Sequence, residues 1–561
     1  MSFLDDIFGS LERAGETPVL EEIRDGRISS VSGRELLELV ARARAFLAGR
    51  GLKKGDRCVL YAPNSVRWVA MDLAAMAEGL IVVPLYARQA PAELVAMMKD
   101  CSPALICCSD AALRDGIVPQ WTEAPEQALF GEIFARAAAS AGKPRVAEGD
   151  PVAIVYTSGT SGEAKGVVVN AGNITHMLGC IHGRLDLLMA GKSGQDRVFH
   201  YLPFVFAGSW MLLLTSLLRG SRLIINTDLG KIAQDMRTVA PDYFLNVPAL
   251  LERMRRAVDE QLWQAGGFVQ GIYSRAKGAW VRKHGGKSRA LDSMWLSLAN
   301  FAIFPTIRKK MIGRNLQALI CGSAPLSAET QLFFLMLGIP VLQSYGLTET
   351  TAICTLDDPR RYEAGRVGPA IAGIEMKLGE NEEIVVRGPN IFPGYWNRPQ
   401  ETAKVLRDGW FHTGDQGEVD ATGNWRIVGR IKNLIILGSG HNIAPEPIEE
   451  KVLAQLPGAA QVVLVGNGKG YLSAIITGDV RDERAQAAID TVNPQHPHYK
   501  QIRVFHVRAD PFTIENGLLT ANGKLRRDLI AQQLRAEIEE MYAVKVEETS
   551  AVVGRRSLAA S

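Results

Sequence analysis

The run Tyr156-Thr157-Ser158-Gly159-Thr160-Ser161-Gly162-Glu163-Ala164-Lys165-Gly166 follows directly on an apolar stretch at 152–155. Small residues let backbone N–H groups come close to an anion, hydroxyls add donors, and a lysine supplies opposite charge. The stretch therefore reads as a polyphosphate-binding loop leaving a buried strand. It is not a Walker A loop, whose two glycines stand further apart and whose lysine precedes Ser or Thr; here Gly166 follows Lys165. Upstream, apolar runs at 57–61, 81–84 and 104–108 join 153–156 as predicted buried strands. Between the N-terminus and these, 33–49 carries Leu36, Leu37, Val40, Ala43 and Leu47 at helical spacing. Strands alternating with helices predict an α/β architecture.

A chain of 561 residues ordinarily holds more than one domain, and at least two are expected. The break is placed at Gly429-Arg430-Ile431-Lys432-Asn433, after the turn-rich Asp420-Ala421-Thr422-Gly423-Asn424, giving domains 1–429 and 430–561. Sixty-three Lys and Arg against 60 Asp and Glu leave no basic surplus for a dedicated nucleic-acid binder. Seven cysteines without metal-ligand spacing read as free thiols in a reducing compartment. The opening Met1-Ser2-Phe3-Leu4-Asp5-Asp6 is acidic where a signal peptide is basic, so the expected location is cytoplasmic. The longest apolar stretch, 204–218, is shorter than the roughly 20 residues that cross a bilayer and is expected as a buried helix.

Further motifs follow in order: Gly322-Ser323-Ala324-Pro325, Ser344-Tyr345-Gly346-Leu347-Thr348-Glu349-Thr350, Phe411-His412-Thr413-Gly414-Asp415, Gly429-Arg430, Gly438-Ser439-Gly440 and Ala521-Asn522-Gly523-Lys524. With the phosphate loop, they make nearly the whole chain resemble the adenylate-forming superfamily of acyl-CoA synthetases, luciferases and nonribosomal-peptide adenylation domains. The resemblance implies a large multi-subdomain N-terminal domain that binds ATP and acid, and a small mobile α+β C-terminal domain. Within the superfamily, Asn442-Ile443-Ala444-Pro445-Glu446-Pro447-Ile448-Glu449 and the extended segment before Gly322 look most like long-chain fatty acyl-CoA synthetases.

Carried over residue by residue, the resemblance implies that Thr157, Ser158, Gly159, Thr160, Ser161, Gly162 and Lys165 surround the phosphates of ATP. Gly322, Ser323, Ala324, Pro325, Ser344, Tyr345 and Gly346 would lie beside adenine and the acid, with Tyr345 stacked on the base. Asp415 would accept the ribose hydroxyls and Arg430 hold the same sugar, suiting a carboxylate and a many-donored guanidinium. Glu349, with the Thr160 hydroxyl near the bridged phosphates, is the expected Mg²⁺ site, and Thr348 the donor to the α-phosphate. Lys524 is the expected catalytic lysine, bridging the attacking carboxylate and the α-phosphate. Lys432 is the expected hinge, after which rotation of the small domain brings Gly438, Ser439 and Gly440 to line a thiol tunnel.

Phe204, Phe206 and Trp210 are expected walls of an acyl pocket. Segment 275–295, with Arg275, Lys277, Arg282, Lys283, Lys287 and Arg289 around Trp280 and Trp295, suits peripheral contact with a membrane. Ala164, Asn433 and Phe206 depart from the usual proline, acid and histidine. The expected function is ATP-dependent activation of a medium- or long-chain fatty acid as acyl-AMP, followed by transfer to CoA. The alternatives are loading of an acyl carrier protein and, from another class, a non-catalytic acyl-adenylate-binding regulator. Oligomeric state is not legible.

Overall fold

The computed structural model describes residues 2–138, 142–158, 164–264, 266–284, 286–313, 315–520, 523–543 and 553–556. The expected strands stand at Arg57–Tyr61, Ile81–Leu85, Leu105–Cys108 and Pro151–Ser158. With Gln127–Leu129 and Ala164–Asn170 they form a six-stranded sheet, parallel except for its closing pair 151–158 and 164–170. A parallel sheet is covered on both faces, which is why neighbouring Val59 and Leu60, Val82 and Val83, and Ile106 and Cys107 are all buried. In the closing pair Thr157 faces Lys165. Gly159, Thr160, Ser161 and Gly162 of the expected phosphate loop lie outside the described residues, as do Ala521 and Asn522.

A second sheet of eight strands runs in the order 355–356, 341–345, 318–321, 243–246, 197–200, 222–226, 18–24 and 27–32. It is parallel throughout except at its two edges. Helix Val66–Ala77, buried along its length apart from Arg67, shares one core with both sheets, as a helix apolar all round should. Helix Gly33–Ala48 starts where Ser32 and Glu35 satisfy each other's backbone N–H groups. The stretch 204–218 contributes helix Ala207–Arg219, buried from Ser209 to Leu217. Among the described residues no helix is long and apolar enough to cross a membrane.

Side chains alternate across the eight-stranded sheet. Phe244, Leu319 and Val341 enter a core shared with helices Gly267–His284 and Asp292–Ala302. Their neighbours Leu245, Ile320 and Leu342 line a cleft on the opposite face.

A smaller antiparallel sheet carries strands Trp410–Val419 and Trp425–Arg430, ending the large domain. One turn, Ile431–Asn433, leads to a separate core beginning at Ile435. There the sheet 459–465, 472–478, 502–508 and 553–556 is flanked by helices. Glu449 is buried in helix Glu446–Ala454, and both its oxygens accept from Arg527, at 2.7 and 2.5 Å. Burial raises its pKa while the guanidinium opposes that rise. Arg527→Ala should leave a buried carboxylate without its cation and destabilise the small domain by about 3–5 kcal/mol. Urea unfolding followed in the small domain checks this; a midpoint equal to wild type would contradict it.

Candidate active site

The cleft opens where strands 318–321 and 341–345 end, so the turns after them, Gly322-Ser323 and Gly346-Leu347-Thr348, supply its polar wall with Ser344 and Thr157. Lys524 completes that wall from the C-terminal domain. Glycine is required at 346: a Cβ there would stand 2.2 Å from the Ala352 carbonyl oxygen and 2.4 Å from the Ile353 Cα. Ser323 and Ala352, both lining the cleft, hold φ of 73° and 98°, conformations that non-glycine residues seldom adopt.

Asp415 and Arg430 face each other in the register of the small sheet. Arg430 Nε donates to one oxygen of the buried Asp415 at 2.7 Å, and the Tyr345 hydroxyl donates to the other at 2.7 Å. Burial, and then the Asp415 charge, hold the Tyr345 phenol well above its usual range, so it stays protonated as a donor. Tyr345 is thus anchored through its hydroxyl. Glu349, in the short turn Thr348–Thr350, accepts from the Tyr395 hydroxyl at 2.8 Å. Lys165 donates to Glu401 at 2.5 Å and lies 5.2 Å from the centre of the Tyr395 ring. The hydrogen bonds from Lys165 and then Lys404 bring the Glu401 carboxyl down to about 2.

Lys524 keeps solvent access, yet its ammonium sits among the cleft walls. Burial and then Arg430 lower its pKa, with Asp415 and Glu349 pulling the other way. Lys432 behaves alike: burial and then Arg430 bring it to about 8. Lys432 and Lys524 therefore both feel the Arg430 charge and, less strongly, the carboxylates of Asp415 and Glu349, while Arg430 is in direct contact with Asp415. Crowding cations is costly unless an anion joins them, which a triphosphate would do.

Several expected residues fall elsewhere. Of the three expected acyl-pocket walls only Phe206 lines the cleft, its ring 6.0 Å from that of Tyr86. Phe204 is a core residue instead, stacked 4.7 Å from His200. Trp210 is also core, its indole N–H donating at 2.9 Å to Asp72, whose carboxyl burial raises to about 7. Helical geometry is the reason: Trp210 points away from the face that Ala207 and Gly208 present to the cleft. Gly438, Ser439 and Gly440 form an exposed turn and do not line the cleft while Lys524 does. Ala324 and Pro325 are likewise absent from the lining among the described residues.

Tyr395 and Glu401 escaped sequence reading, for an isolated aromatic before Pro399 and an isolated acid after it carry no periodic signal. Trp396 N–H donates to the Gly166 carbonyl at 2.7 Å, which brings this segment beside the strand after the phosphate loop. Arg184, at the apolar end of the cleft and 3.3 Å from Asp358, was also unread.

No group of three His, Cys, Asp or Glu that could hold a metal ion is found among the described residues. A single carboxylate such as Glu349 still fits Mg²⁺, which is commonly bound through one or two carboxylates plus substrate phosphates.

The two-domain α/β fold, with a cleft whose polar wall of Thr157, Ser323, Ser344 and Thr348 is completed by Lys524 from the small domain, is that of a nucleotide-dependent, acid-activating class of enzyme. The AMP-binding enzyme family matches residues 10–396, and the AMP-binding enzyme C-terminal domain matches 432–546. The chain belongs to the AMP-binding enzyme family. It is 26% identical to the long-chain-fatty-acid–CoA ligase FadD15 of Mycobacterium bovis, covering 93% of this chain and 94% of that one. Identity to the rat long-chain-fatty-acid–CoA ligase ACSBG2 is 25%, covering 95% and 92%. Among solved structures, the adenylation domain of a carboxylate reductase from Mycobacterium chelonae superposes with TM-score 0.78 at 20% identity, covering 97% of this chain and 91% of that one. ATP-bound MatB from Rhodopseudomonas palustris superposes at 0.73 and 23%, covering 95% and 99%. These likenesses establish the fold.

The Lys432 ammonium, brought to about 8, loses above that pH a charge that Asp415 and Glu349 feel. The KM for ATP should therefore rise as pH climbs through that value. Lys432→Arg, which stays protonated, should move the rise to higher pH. An unmoved rise in KM against pH would assign the limb to another group.

Proposed function

We propose that the chain is an ATP-dependent acyl-CoA ligase whose acid is a medium- or long-chain fatty acid. The observation that carries this reading is a cleft with two chemically distinct ends: Thr348, Ser323 and Lys524 at one, and Ile181, Leu185, Leu188 and Leu212 at the other. An amphiphile with one carboxylate head matches that division. The full-length likeness to fatty-acid–CoA ligases supports the same substrate class.

In the first half-reaction a carboxylate oxygen attacks the α-phosphorus of ATP; the new P–O bond forms as the bond to pyrophosphate breaks. Two anions must meet, so the chain's task is largely electrostatic. Lys524 and Arg430 offset charge around the α-phosphate, Thr348 donates to it, and Asp415 holds the ribose. Tyr345 flanks adenine while its hydroxyl steadies Asp415. Lys165, exchanging Glu401 for the β- and γ-phosphates, steadies the leaving group, and Gly159, Thr160, Ser161 and Gly162 supply backbone and hydroxyl donors. Mg²⁺ held by Glu349 with Thr160 would neutralise the departing pyrophosphate.

In the second half-reaction a thiol sulfur attacks the acyl carbonyl carbon, its proton leaves, and the C–O bond to AMP breaks. Lys524 now obstructs the approach, so the small domain turns about Lys432 and brings the Gly438-Ser439-Gly440 turn to the thiol channel. Free CoA is the acceptor, with a carrier-protein pantetheine as the alternative. The proposed location is the cytoplasm.

Acid-dependent pyrophosphate release over a panel of acids, with and without CoA, tests this reading. Fatty acids should stimulate release, and CoA should convert the product to thioester. Release that no fatty acid stimulates would refute it, and turnover only with a loaded carrier protein would select the alternative acceptor. Lys524→Ala should slow acyl-AMP formation by about a hundredfold or more, the scale of losing one transition-state electrostatic contact. Consumption of synthetic acyl-AMP by CoA should be far less affected. Equal losses in both assays would remove the lysine from its separate role.

A further inference from the structure

Helix Asp292–Ala302 has two apolar stripes. Leu296, Ala299 and Ile303 are buried in the core behind the eight-stranded sheet. Leu291, Met294, Leu298 and Phe301, spaced by three, four and three residues, form a second stripe that faces solvent. Phe301 is 88% exposed. The preceding helix Gly267–His284, packed against this one, adds Phe268 at 82% and Val281. Six of the large apolar side chains exposed among the described residues thus fall within 268–301, a concentration unlike singly scattered surface hydrophobics.

Charge picks out the same region. Residues 267–313 hold nine Lys and Arg and one acid, Asp292, a net of +8 in a chain whose total is only +3. Asp292 is already engaged by Arg282 and accepts the Arg289 backbone N–H at 2.8 Å. Two copies of so basic a face would repel each other, which argues against self-association through it. An apolar stripe flanked by cations matches the boundary between anionic headgroups and acyl chains.

We propose that this helical pair seats the enzyme on anionic lipid surfaces, with Phe268 and Phe301 inserted below the headgroups and cations such as Lys283, Lys287 and Arg289 among them. The inference goes beyond the ligase reading, because it rests on a face separated from the cleft by the eight-stranded sheet and holds whatever acid is activated. Docking there leaves the cleft side of the sheet free.

Flotation of the full-length protein with phosphatidylglycerol–phosphatidylcholine vesicles, and with phosphatidylcholine alone, tests it. The protein should float with the anionic vesicles, remain largely unbound with the neutral ones, and be released by high salt. Phe268→Ser/Phe301→Ser should cut the partition coefficient at least about tenfold. Lys283→Glu/Lys287→Glu/Arg289→Glu should cut it by about a hundredfold or more. These residues are exposed, so both variants should keep the wild-type melting profile and lipid-free turnover of a water-soluble acid. Absence of flotation, equal binding to neutral vesicles, or partition unchanged in both variants would overturn the proposal. A dimer abolished by the phenylalanine changes would instead give the face to a second copy of this chain.

Discussion

Asp415 is the constraint around which the cleft is organised. A desolvated carboxylate is tolerated only when its lone pairs are taken up, and here one oxygen accepts from Arg430 and the other from Tyr345. Strand register places Arg430 opposite Asp415, and the strand that ends the second parallel sheet brings Tyr345. Two sheets are thereby joined through one side chain. Arg430 is also the last strand residue before the turn to the small domain, so the guanidinium paired with Asp415 stands beside the pivot proposed to move Lys524.

Like charges near Arg430 explain much of the remaining electrostatics. Lys432 and Lys524 have lowered pKa values because burial and Arg430 disfavour another positive charge. Lys165 is paired with Glu401, a partner that the proposed mechanism exchanges for phosphate. Protein carboxylates therefore pair with Lys165 and Arg430 in places where nucleotide oxygens are proposed to sit. Binding becomes an exchange of ion pairs rather than a simple addition of charge, which limits its net gain.

The eight-stranded sheet separates two environments by side-chain alternation alone. One residue faces the cleft and the next faces the core beneath the basic helical pair, as Leu245 and Phe244 or Ile320 and Leu319 show. Substrate selection and surface chemistry can consequently change independently: substitutions on Gly267–His284 or Asp292–Ala302 reach the cleft only by deforming the sheet between them. Arg184, beside Asp358 at the apolar end, places a charge where uninterrupted aliphatic packing would otherwise continue.

The sequence by itself determined the buried strands at 57–61, 81–84, 104–108 and 153–156, because parallel strands need apolar residues on both faces and so appear as continuous runs. It also determined the family motifs, whose small, hydroxylic and charged residues occur in a distinctive order. It did not separate Phe206 from Phe204 and Trp210, since all three are aromatic neighbours and only the start and rotation of helix Ala207–Arg219 decide which reaches the cleft. Nor did it reveal the Tyr395–Glu349 and Lys165–Glu401 contacts, made between segments far apart in the chain. The outward stripe of Asp292–Ala302 was hidden for a related reason: helical spacing marks an apolar face, but only packing against the sheet decides which of two such faces is buried.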